Sequence, residues 1–442
     1  MQIGSWTGCF SPPDGATIEG VNTTFDTLYA AVRDLPLVDW HNHLDLRALS
    51  EDRPLGSLHS AWVAPDPYKH RAMRICGEPE RLITGDAPEA EKWAAWQRTL
   101  PKLVGNPLFD WAKAELGILG LDGSENVPLS DWTPSKILRK VNAEVLSPCV
   151  AADSTAIDGN RSQSNRDASA AGAARVVPSL RLNAGDEVPE AALARFAAAG
   201  CRVVDISVDD VSALAIPGEA GENRALPCAA LCPVPGAAAP GVCPVPGAAA
   251  PGLFRIAAVA AAHGWTMLLH LGALRETSSR LRAVAGSAGG YAGMRAPVDP
   301  SAVAAFLDAL ERADALPRTI LLTLNPEAHA QLAVLSGSFT REGSPGHVQL
   351  GPAWWWCDHA HGVRDVLEKT AAYGVLSTFV GMTTDSRSLL SLVRHDWFRR
   401  ILCKWVAGKV TSGDFPDDPA LLLPLLENVC YRNARRMFDG NR

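Results

Sequence analysis

The sequence has no block of basic residues, no long apolar run and no Cys-x-x-Cys pair. Acidic residues outnumber basic ones by 48 to 41 and the formal net charge is −7, which argues against a nucleic-acid-binding face. No window offers ~18 uninterrupted apolar residues, so no membrane span is predicted. The ten cysteines are scattered, and in a long chain without a secretory signal this favours reduced thiols.

Residues 1–20 lack the features of a secretory signal. They contain no basic start and no long apolar core, and Trp6, Pro12 and Pro13 interrupt the stretch. Together with the reduced cysteines, this predicts a cytoplasmic protein. An anionic substrate would need a local cluster of arginine or lysine, because the field of an acidic protein does not attract it.

The remaining composition is that of an ordinary globular protein, with 47% hydrophobic and 20% charged residues. A chain of 442 residues suits one large α/β barrel with insertions, or two to three domains of ordinary size. Residues 1–36 are predicted to be a lead-in with one short helix. Residues 37–442 are predicted to form the barrel, with a helical insertion at about 54–140.

From about residue 145 onward, short apolar runs alternate with helical runs. This alternation favours a parallel sheet, and the continuously apolar strands fit a sheet that is covered on both faces. The predicted strands include Val176–Leu180 and Gly374–Asp385. In a (β/α)₈ barrel the carboxyl ends of the strands carry the chemistry. A polar residue repeatedly stands at the predicted strand end, as at His43, Asp205, His270, Asn325 and Asp385.

One segment departs from this alternation. Residues 231–241 are repeated almost letter for letter as residues 242–252, and both copies are rich in proline, glycine and alanine. This composition excludes a helix and a central strand, which predicts a surface loop that arose by tandem duplication. A proline-rich docking motif is the alternative. Residues 151–172 are also predicted to be a loop.

Two histidines lie at the end of the first predicted strand, Leu35–His43. Residues two apart in a strand point to the same side, so His41 and His43 can reach one ion. Imidazole suits zinc and similar metals, and the alternative is a pair of surface or hydrogen-bonded histidines. Asp385 could supply a third ligand and a proton-transfer group, leaving the open position that a catalytic metal needs. Its alternative role is a helix N-cap, because a helix-like run follows it.

Arginines, a histidine and tryptophans near other predicted strand ends are candidates for substrate binding. Arg181, Arg275 and Arg387 could hold a carboxylate or an oxyanion, since a guanidinium group suits bidentate recognition. For Arg275 the alternative is a surface charge. For His270 the alternative is a histidine at the barrel rim whose hydrogen bonds are made within the protein. Trp354–Trp356 are either packing at the barrel edge or an apolar wall of a sugar pocket.

These residues lie within longer strings that resemble those of the uronate isomerases, a branch of the amidohydrolase superfamily. The resemblance runs in family order from near residue 25 to the C-terminus, and it is most specific at the two ends of the chain. The strings are Val38-Asp-Trp-His-Asn-His-Leu44, Tyr68-Lys-His-Arg-Ala-Met73, Arg81-Leu-Ile-Thr-Gly-Asp86, Pro101-Lys-Leu-Val-Gly-Asn-Pro-Leu108, His270-Leu-Gly-Ala-Leu-Arg275, Gly351-Pro-Ala-Trp-Trp-Trp356, Val380-Gly-Met-Thr-Thr-Asp-Ser-Arg-Ser388 and Arg394-His-Asp-Trp-Phe-Arg-Arg-Ile-Leu-Cys403.

The resemblance implies a distorted (β/α)₈ TIM barrel with a helical insertion after the first strand. It implies that D-glucuronate is converted to D-fructuronate, and D-galacturonate to D-tagaturonate, with a divalent metal for which zinc is expected. The sugar acid is the expected partner, and the oligomeric state stays open, a homo-oligomer included. By this resemblance the family's metal ligands correspond to His41, His43 and Asp385. Its insertion-domain tyrosine corresponds to Tyr68, and its strand-eight arginine corresponds to Arg387. Its tryptophan pair corresponds to Trp354 and Trp355, its strand-end histidine to His270, and a carboxylate-binding arginine to Arg181. Either Tyr68 or Asp385 could carry the proton.

Three departures from the family pattern fall on the middle strands. The family's Thr-Asp-Asp string is absent from Leu146–Val150, and Ile206 stands where the family has a histidine. Of its Ser-Trp-Arg-Pro-Asp string, Leu180 replaces the tryptophan and the arginine survives. The reaction class is therefore better supported than the substrate. A metal-dependent hydrolase or isomerase that acts on another carboxylate is the first alternative, and a non-catalytic sugar-acid binder is the second.

Overall fold

The computed structural model of the protein describes residues 18–157, 174–214 and 252–439. Residues 1–17 of the predicted lead-in and most of the predicted loop at 151–172 therefore lie outside the described residues. The same is true of residues 231–251 of the duplication, and with them of the predicted surface loop and its docking-motif alternative.

Ten strands occur in the described residues, and eight of them form a curled parallel sheet. The strands are β1 Leu37–Asn42, β2 Ala143–Ala151, β3 Arg175–Val176, β4 Ser179–Asn183, β5 Val203–Val208, β6 Thr266–Leu271, β7 Ala273–Leu274, β8 Gly293–Met294, β9 Thr319–Thr323 and β10 Val348–Leu350. The main sheet runs β1-β2-β4-β5-β6-β9-β10, β3 adds to β2, and β7 and β8 form a separate antiparallel pair. With helices packed outside it, this sheet is the predicted distorted (β/α)₈ barrel.

Helices cover the outer face of the sheet and fill the segment between β1 and β2. No helix within the described ranges is long and apolar enough to cross a membrane. The α-helices are α1 Ile18–Val32, α2 Leu46–Glu51, α3 Pro67–Ile75, α4 Glu89–Thr99, α5 Pro107–Leu119, α6 Pro134–Lys140, α7 Glu190–Ala198, α8 Gly252–His263, α9 Ser279–Ala285, α10 Pro300–Arg312, α11 His329–Leu335, α12 Ala360–Tyr373, α13 Arg394–Thr411, α14 Pro419–Glu427 and α15 Asn433–Arg436. Shorter 3₁₀ or π turns occur at His59–Val63, Glu80–Leu82, Leu100–Leu103, Val211–Leu214, Pro326–Ala328, Trp355–Cys357, Leu376–Thr378, Leu389–Val393 and Asn428–Arg432.

The turn His59–Val63 and helices α3 to α6 lie between residues 54 and 140 and share an apolar cluster. Its large members are Trp62, Trp93, Trp96 and Trp111, all nearly fully buried. Aromatic side chains of this size contribute much of the apolar area that a small cluster can remove from water. The insertion therefore has a core with which to hold α3 rigidly beside the barrel.

The predicted eighth strand, Gly374–Asp385, is wrong as a regular strand. A helical turn occupies Leu376–Thr378, and the rest of the segment makes no strand ladder. Gly381 and Asp385 have left-handed backbone angles, φ +74° and +50°, which break the extended conformation that a ladder needs. The segment still closes the barrel, because His41 N donates to Thr383 Oγ1 at 2.9 Å and Asp385 N donates to His41 O at 3.2 Å.

Two predicted strand ends also lie elsewhere. The predicted strand Val176–Leu180 is divided at Pro178, which has no N–H to donate, and the chain resumes pairing as β4. Arg181 therefore lies within β4 rather than after it, and Asp205 lies within β5 rather than at its end. Both side chains consequently belong to the barrel interior, below the rim that the sequence predicted for them.

Candidate active site

Two histidines and one aspartate converge beside the first barrel strand. β1 places His41 and His43 with their ring centroids 5.3 Å apart. His41 Nε2 lies 3.2 Å from Asp385 Oδ1, and His43 Nε2 lies 3.0 Å from the same oxygen. One ligand atom from each of the three residues lies within 4.8 Å of the others. This spacing is compact enough to hold one metal ion.

Asp385 is not a helix cap. The helical turn Leu389–Val393 that follows it is capped by Ser388, whose hydroxyl accepts from Leu390 N. The carboxylate of Asp385 instead faces the histidines through Oδ1 and accepts from Trp354 Nε1 through Oδ2 at 3.1 Å. The left-handed backbone at this position turns the side chain into the barrel mouth. Both oxygens are therefore committed to the pocket.

Asp39 ties the segment before Asp385 to β1. Its fully buried carboxylate accepts from Thr383 Oγ1 at 2.9 Å, and from the backbone and hydroxyl of Thr384 at 2.7 Å each. Burial would raise the pKa of Asp39, but the contacts with His395 and Thr384 outweigh it and lower the pKa. Sequence reasoning missed Asp39 and His395. The available signal was a charged residue inside an otherwise apolar strand.

A second group of side chains lies on the other side of His41. Cys149 Sγ lies 3.1 Å from His41 Nδ1 and 3.2 Å from Asp205 Oδ2. Asp205 also contacts His270, whose Nδ1 lies 2.6 Å from Oδ1, and Arg181, whose Nη1 lies 2.6 Å from Oδ2. Sequence reasoning did not identify Cys149 as part of the site. Only the lateral pairing of the strands brings it beside Asp205 and His41.

Burial and pairing together set the charge of these groups. Burial would raise the pKa of Asp205, but Arg181 and His270 hold it well below the usual carboxyl range. Burial would likewise raise the pKa of Asp385, but the hydrogen bonds with His41 and His43 outweigh burial and hold this pKa well below the usual carboxyl range as well. Burial lowers the pKa of His270 to about 4 against the opposing effect of Asp205. Asp205 and Asp385 are therefore ionised and His270 is neutral at neutral pH.

Arg181 and Arg275 share one acceptor. Both guanidinium groups donate to Ser207 Oγ on β5, and Arg275 Nε donates to Asp209 Oδ1 at 3.0 Å. Each arginine is therefore held by a carboxylate and by the same hydroxyl. Arg387 is exposed at the pocket and makes no ion pair with any described residue. Ser207 and Asp209 were not singled out from the sequence, because only the structure brings them to the arginines.

Helix α3 of the insertion contributes Tyr68. The helix follows Asp66, whose carboxylate accepts from Tyr68 N at 2.8 Å and so caps it. The phenol ring packs edge-to-face against Trp111 and Trp356, with centroid distances of 5.7 and 5.3 Å. Burial and the nearby carboxylate of Asp385 raise the pKa of Tyr68 well above its usual value. The phenol therefore keeps its proton.

Trp354 and Trp355 form one wall of the site. The ring of Trp354 lies 4.4 Å from that of His270, and the ring of Trp355 lies 5.8 Å below the guanidinium carbon of Arg275. Trp354 is nearly fully buried and also bonds to the carboxylate of Asp385. The pair therefore both packs the barrel edge and faces the pocket, so the two interpretations of the sequence are not exclusive.

The donor set fits a divalent metal, because two imidazole nitrogens and a carboxylate oxygen are ligands that zinc and similar ions accept. Two buried polar atoms near these donors, Tyr68 Oη and His270 Nε2, have no hydrogen-bond partner within the described chain. Unpaired buried polar atoms in a pocket indicate a site for a ligand. All ten predicted site residues line this one pocket: His41, His43, Tyr68, Arg181, His270, Arg275, Trp354, Trp355, Asp385 and Arg387.

A family model described as "Glucuronate isomerase" matches residues 19–154 and 188–438 of the chain. The chain belongs to the glucuronate isomerase family. It is 33% identical to the uronate isomerase of Geobacillus thermodenitrificans, over 92% of this chain and 94% of the relative. It is also 33% identical to the uronate isomerase of Serratia proteamaculans, over 93% of this chain and 94% of the relative.

Solved structures carry the same fold at lower sequence identity. A uronate isomerase from Thermotoga maritima has a TM-score of 0.74 at 22% identity, covering 96% of this chain and 98% of its own. A glucuronate isomerase from Caulobacter crescentus has a TM-score of 0.74 at 19% identity, covering 97% and 95%. The distorted barrel is therefore the fold that these glucuronate and uronate isomerases share.

The match to the glucuronate isomerase family omits residues 155–187. Arg181 lies in this omitted stretch, and the other nine predicted site residues lie inside the matched parts. A role for Arg181 therefore depends on its geometry in the pocket, where Asp205 and Ser207 fix its guanidinium group. Strand β4 lies entirely within the stretch that the family match omits.

Proposed function

We propose that this chain catalyses aldose–ketose isomerisation of uronates, converting D-glucuronate to D-fructuronate and D-galacturonate to D-tagaturonate. The observation that carries the proposal is the convergence of all ten predicted site residues in one pocket of a glucuronate isomerase family member. The relatives named uronate isomerase match this chain along nearly its whole length, which supports a common reaction.

We propose His41, His43 and Asp385 as the ligands of a divalent metal, and zinc is favoured by the two imidazoles. A metal held there would supply Lewis-acid polarisation of a substrate oxygen. Tyr68 and Arg387 line the same pocket as these three residues, so a substrate bound there would lie beside the metal. The fixed bond from Trp354 to Asp385 orients the carboxylate, as outer hydrogen bonds to metal ligands commonly do.

The substrate would lie between the arginines and the tryptophan wall. Arg181 and Arg275 are held in place before binding, so they can receive the sugar carboxylate at little cost in side-chain ordering. Trp354 and Trp355 offer apolar faces to the carbon chain. His270 is neutral, and its unpaired Nε2 can accept a hydrogen bond from a substrate hydroxyl.

Proton transfer from C2 to C1 would depend on Asp385 and Tyr68. The ionised Asp385 accepts the proton from C2 and returns it to C1, so one C–H bond breaks and another forms. Tyr68 keeps its proton and donates a hydrogen bond to the oxygen on C1. In the same reaction a proton passes from the C2 hydroxyl to the oxygen on C1, so the ketose has the same atoms as the aldose. Arg387, whose charge is unpaired among the described side chains, stabilises the enediolate oxygen.

The test is turnover of glucuronate and galacturonate by the purified protein in D₂O, followed by proton NMR. We expect ketose formation with deuterium appearing at C1, since a carboxylate that holds the proton exchanges it with solvent. Asp385→Asn should abolish turnover and weaken metal binding, while Asp308→Asn, a surface control from an exposed ion pair with Arg312, should do neither. Full activity of Asp385→Asn would refute the assignment, and hydrolysis of lactones or esters without ketose formation would favour the hydrolase alternative.

A further inference from the structure

Cys149 holds a position directly behind the proposed metal site. It lies on β2, and its Sγ is 3.1 Å from Nδ1 of His41, the ring nitrogen that faces away from Asp385. The same sulfur lies 3.2 Å from Asp205 Oδ2. Both neighbours are nearly or fully buried. Water cannot reach their polar atoms, so each of these atoms needs a hydrogen-bond partner within the protein. The mechanism above does not use Cys149.

The direction of these hydrogen bonds follows from Asp205. Its Oδ1 faces His270 Nδ1 and its Oδ2 accepts from Arg181, both at 2.6 Å, and an ionised carboxylate can only accept. The thiol proton of Cys149 must therefore point to Asp205. Ser179 Oγ donates to the sulfur at 3.3 Å, and the second lone pair of the sulfur can accept the Nδ1–H of His41. An imidazole that carries its proton on Nδ1 offers the Nε2 lone pair to a metal.

We propose that Cys149 is a positioning residue for the metal: its sulfur accepts the Nδ1–H of His41 and holds that ring with Nε2 facing Asp385 and His43. The inference rests on the proposed function, since it requires the metal site formed by these three ligands. The inference goes beyond the proposed function by adding a residue that touches neither metal nor substrate. Outer partners of this kind typically change metal affinity 10- to 100-fold when removed.

The neighbouring acceptor cannot replace the sulfur. Without Cys149, the nearest carboxylate oxygen to His41 Nδ1 is Asp205 Oδ2 at 3.9 Å, which is too long for a hydrogen bond. The buried N–H would lose its partner, and the ring would be free to turn or to change tautomer. A serine hydroxyl can still accept from the ring and donate to Asp205. Cys149→Ser should therefore preserve what Cys149→Ala removes.

A direct metal-binding role for Cys149 is the competing possibility. His41 Nδ1, Cys149 Sγ and Asp205 Oδ2 lie within 4.8 Å of one another, so they could surround a cation. However, the Arg181 guanidinium already bonds to Asp205 Oδ2, and its charge would repel a second cation at this position. Each of the three groups is also satisfied by the hydrogen bonds described above. The geometry therefore favours the positioning role.

The experiment measures zinc affinity of the full-length protein by competition with a chelator. We expect Cys149→Ala to bind zinc 10- to 100-fold more weakly, and Cys149→Ser to stay within about threefold of the original protein. The matched control is Cys403→Ala, which removes a fully buried sulfur in α13 and should leave zinc affinity unchanged. Because the readout is binding, it does not depend on turnover.

A second readout separates positioning from general loss of structure. In zinc-loaded protein with ¹⁵N-labelled histidine, His41 should bind through Nε2 in the original chain and in Cys149→Ser, but show mixed coordination in Cys149→Ala. Equal zinc affinity of Cys149→Ala and the original protein would overturn this inference and leave the proposed metal site standing. A thiolate-to-metal charge-transfer band in the cobalt-substituted protein, absent from Cys149→Ala, would make Cys149 a ligand and overturn it as well. Failure of the original protein to bind any divalent metal would instead refute the proposed site itself.

Discussion

Gly290 lies where the loop before β8 meets the insertion helix that carries Tyr68. Its backbone has φ +79°, and a Cβ placed on it would lie 2.2 Å from the carbonyl oxygen of Pro67 and 3.1 Å from the carbonyl carbon. Both neighbours are backbone atoms, which cannot rotate away as a side chain can. The perturbation Gly290→Ala should therefore push the loop and α3 apart, and Tyr68 is the residue that follows Pro67.

The expected cost has two parts. A left-handed backbone costs a non-glycine residue about 1–2 kcal/mol, and overpacking at a rigid contact costs about 1–3 kcal/mol. The free energy of unfolding should thus fall by roughly 2–5 kcal/mol if the contact stays closed. If it opens by about 1 Å, the unfolding cost is smaller, but Tyr68 moves and kcat should fall about 10²-fold. In either case the effect exceeds that of backbone strain alone.

Gly77 provides the matched control, because it has φ +86° at the end of the same helix and a Cβ there would meet nothing within 4 Å. Gly77→Ala should lose about 1–2 kcal/mol of stability by strain and keep its kcat. The assay combines uronate turnover with thermal unfolding for both variants. If Gly290→Ala and Gly77→Ala behave alike in both measurements, the close approach does not position Tyr68 and the reasoning is refuted.

Three further outcomes are expected. Tyr68→Phe should lower kcat by about 10²- to 10⁴-fold with unchanged metal content, whereas Tyr431→Phe, which loses a bond to Glu144 elsewhere, should keep its rate. Trp354→Phe removes a donor to a carboxylate, worth about 1.5–3 kcal/mol, so kcat should fall roughly 10- to 100-fold without loss of the fold by circular dichroism. Burial lowers the pKa of His70 from 6.5 to about 4, so the folded chain binds fewer protons than the unfolded chain between these values. Stability should therefore fall as pH drops through this window, by up to roughly 3 kcal/mol, and urea unfolding of His70→Gln should show a flatter dependence.

The parts of the site that depend on local chain geometry were predictable from the sequence. His41 and His43 lie two residues apart at the end of an apolar run, and alternation along a strand places them together whatever the rest of the fold does. Helix α10 is also determined locally, because its apolar residues recur at helical spacing and it begins after the Asp299 cap. Family strings at both ends of the chain added Tyr68 and Asp385, which no spacing rule connects.

The parts that depend on contacts across the barrel were not predictable. Cys149 and Asp205 lie 56 residues apart and meet only because their strands pair through β4. The segment Gly374–Asp385 is irregular because Gly381 and Asp385 have left-handed backbone angles. A pattern of apolar residues does not reveal such angles. The apolar run predicted burial correctly, because Val380 and its neighbours are buried. It could not predict that side-chain bonds and single backbone hydrogen bonds, rather than a ladder, join this segment to β1.

Recognition of an acidic sugar by an acidic chain depends on how arginine charge is distributed within the pocket. With a net charge of −7, the protein has no general attraction for an anion. The charges of Arg181 and Arg275 are balanced by Asp205 and Asp209, so these groups contribute fixed geometry more than net charge. Arg387 meets no such carboxylate in the described part of the chain. In the proposed mechanism it is therefore the arginine whose interaction can strengthen most as negative charge develops on the substrate, which is the condition for accelerating the reaction rather than only binding the sugar.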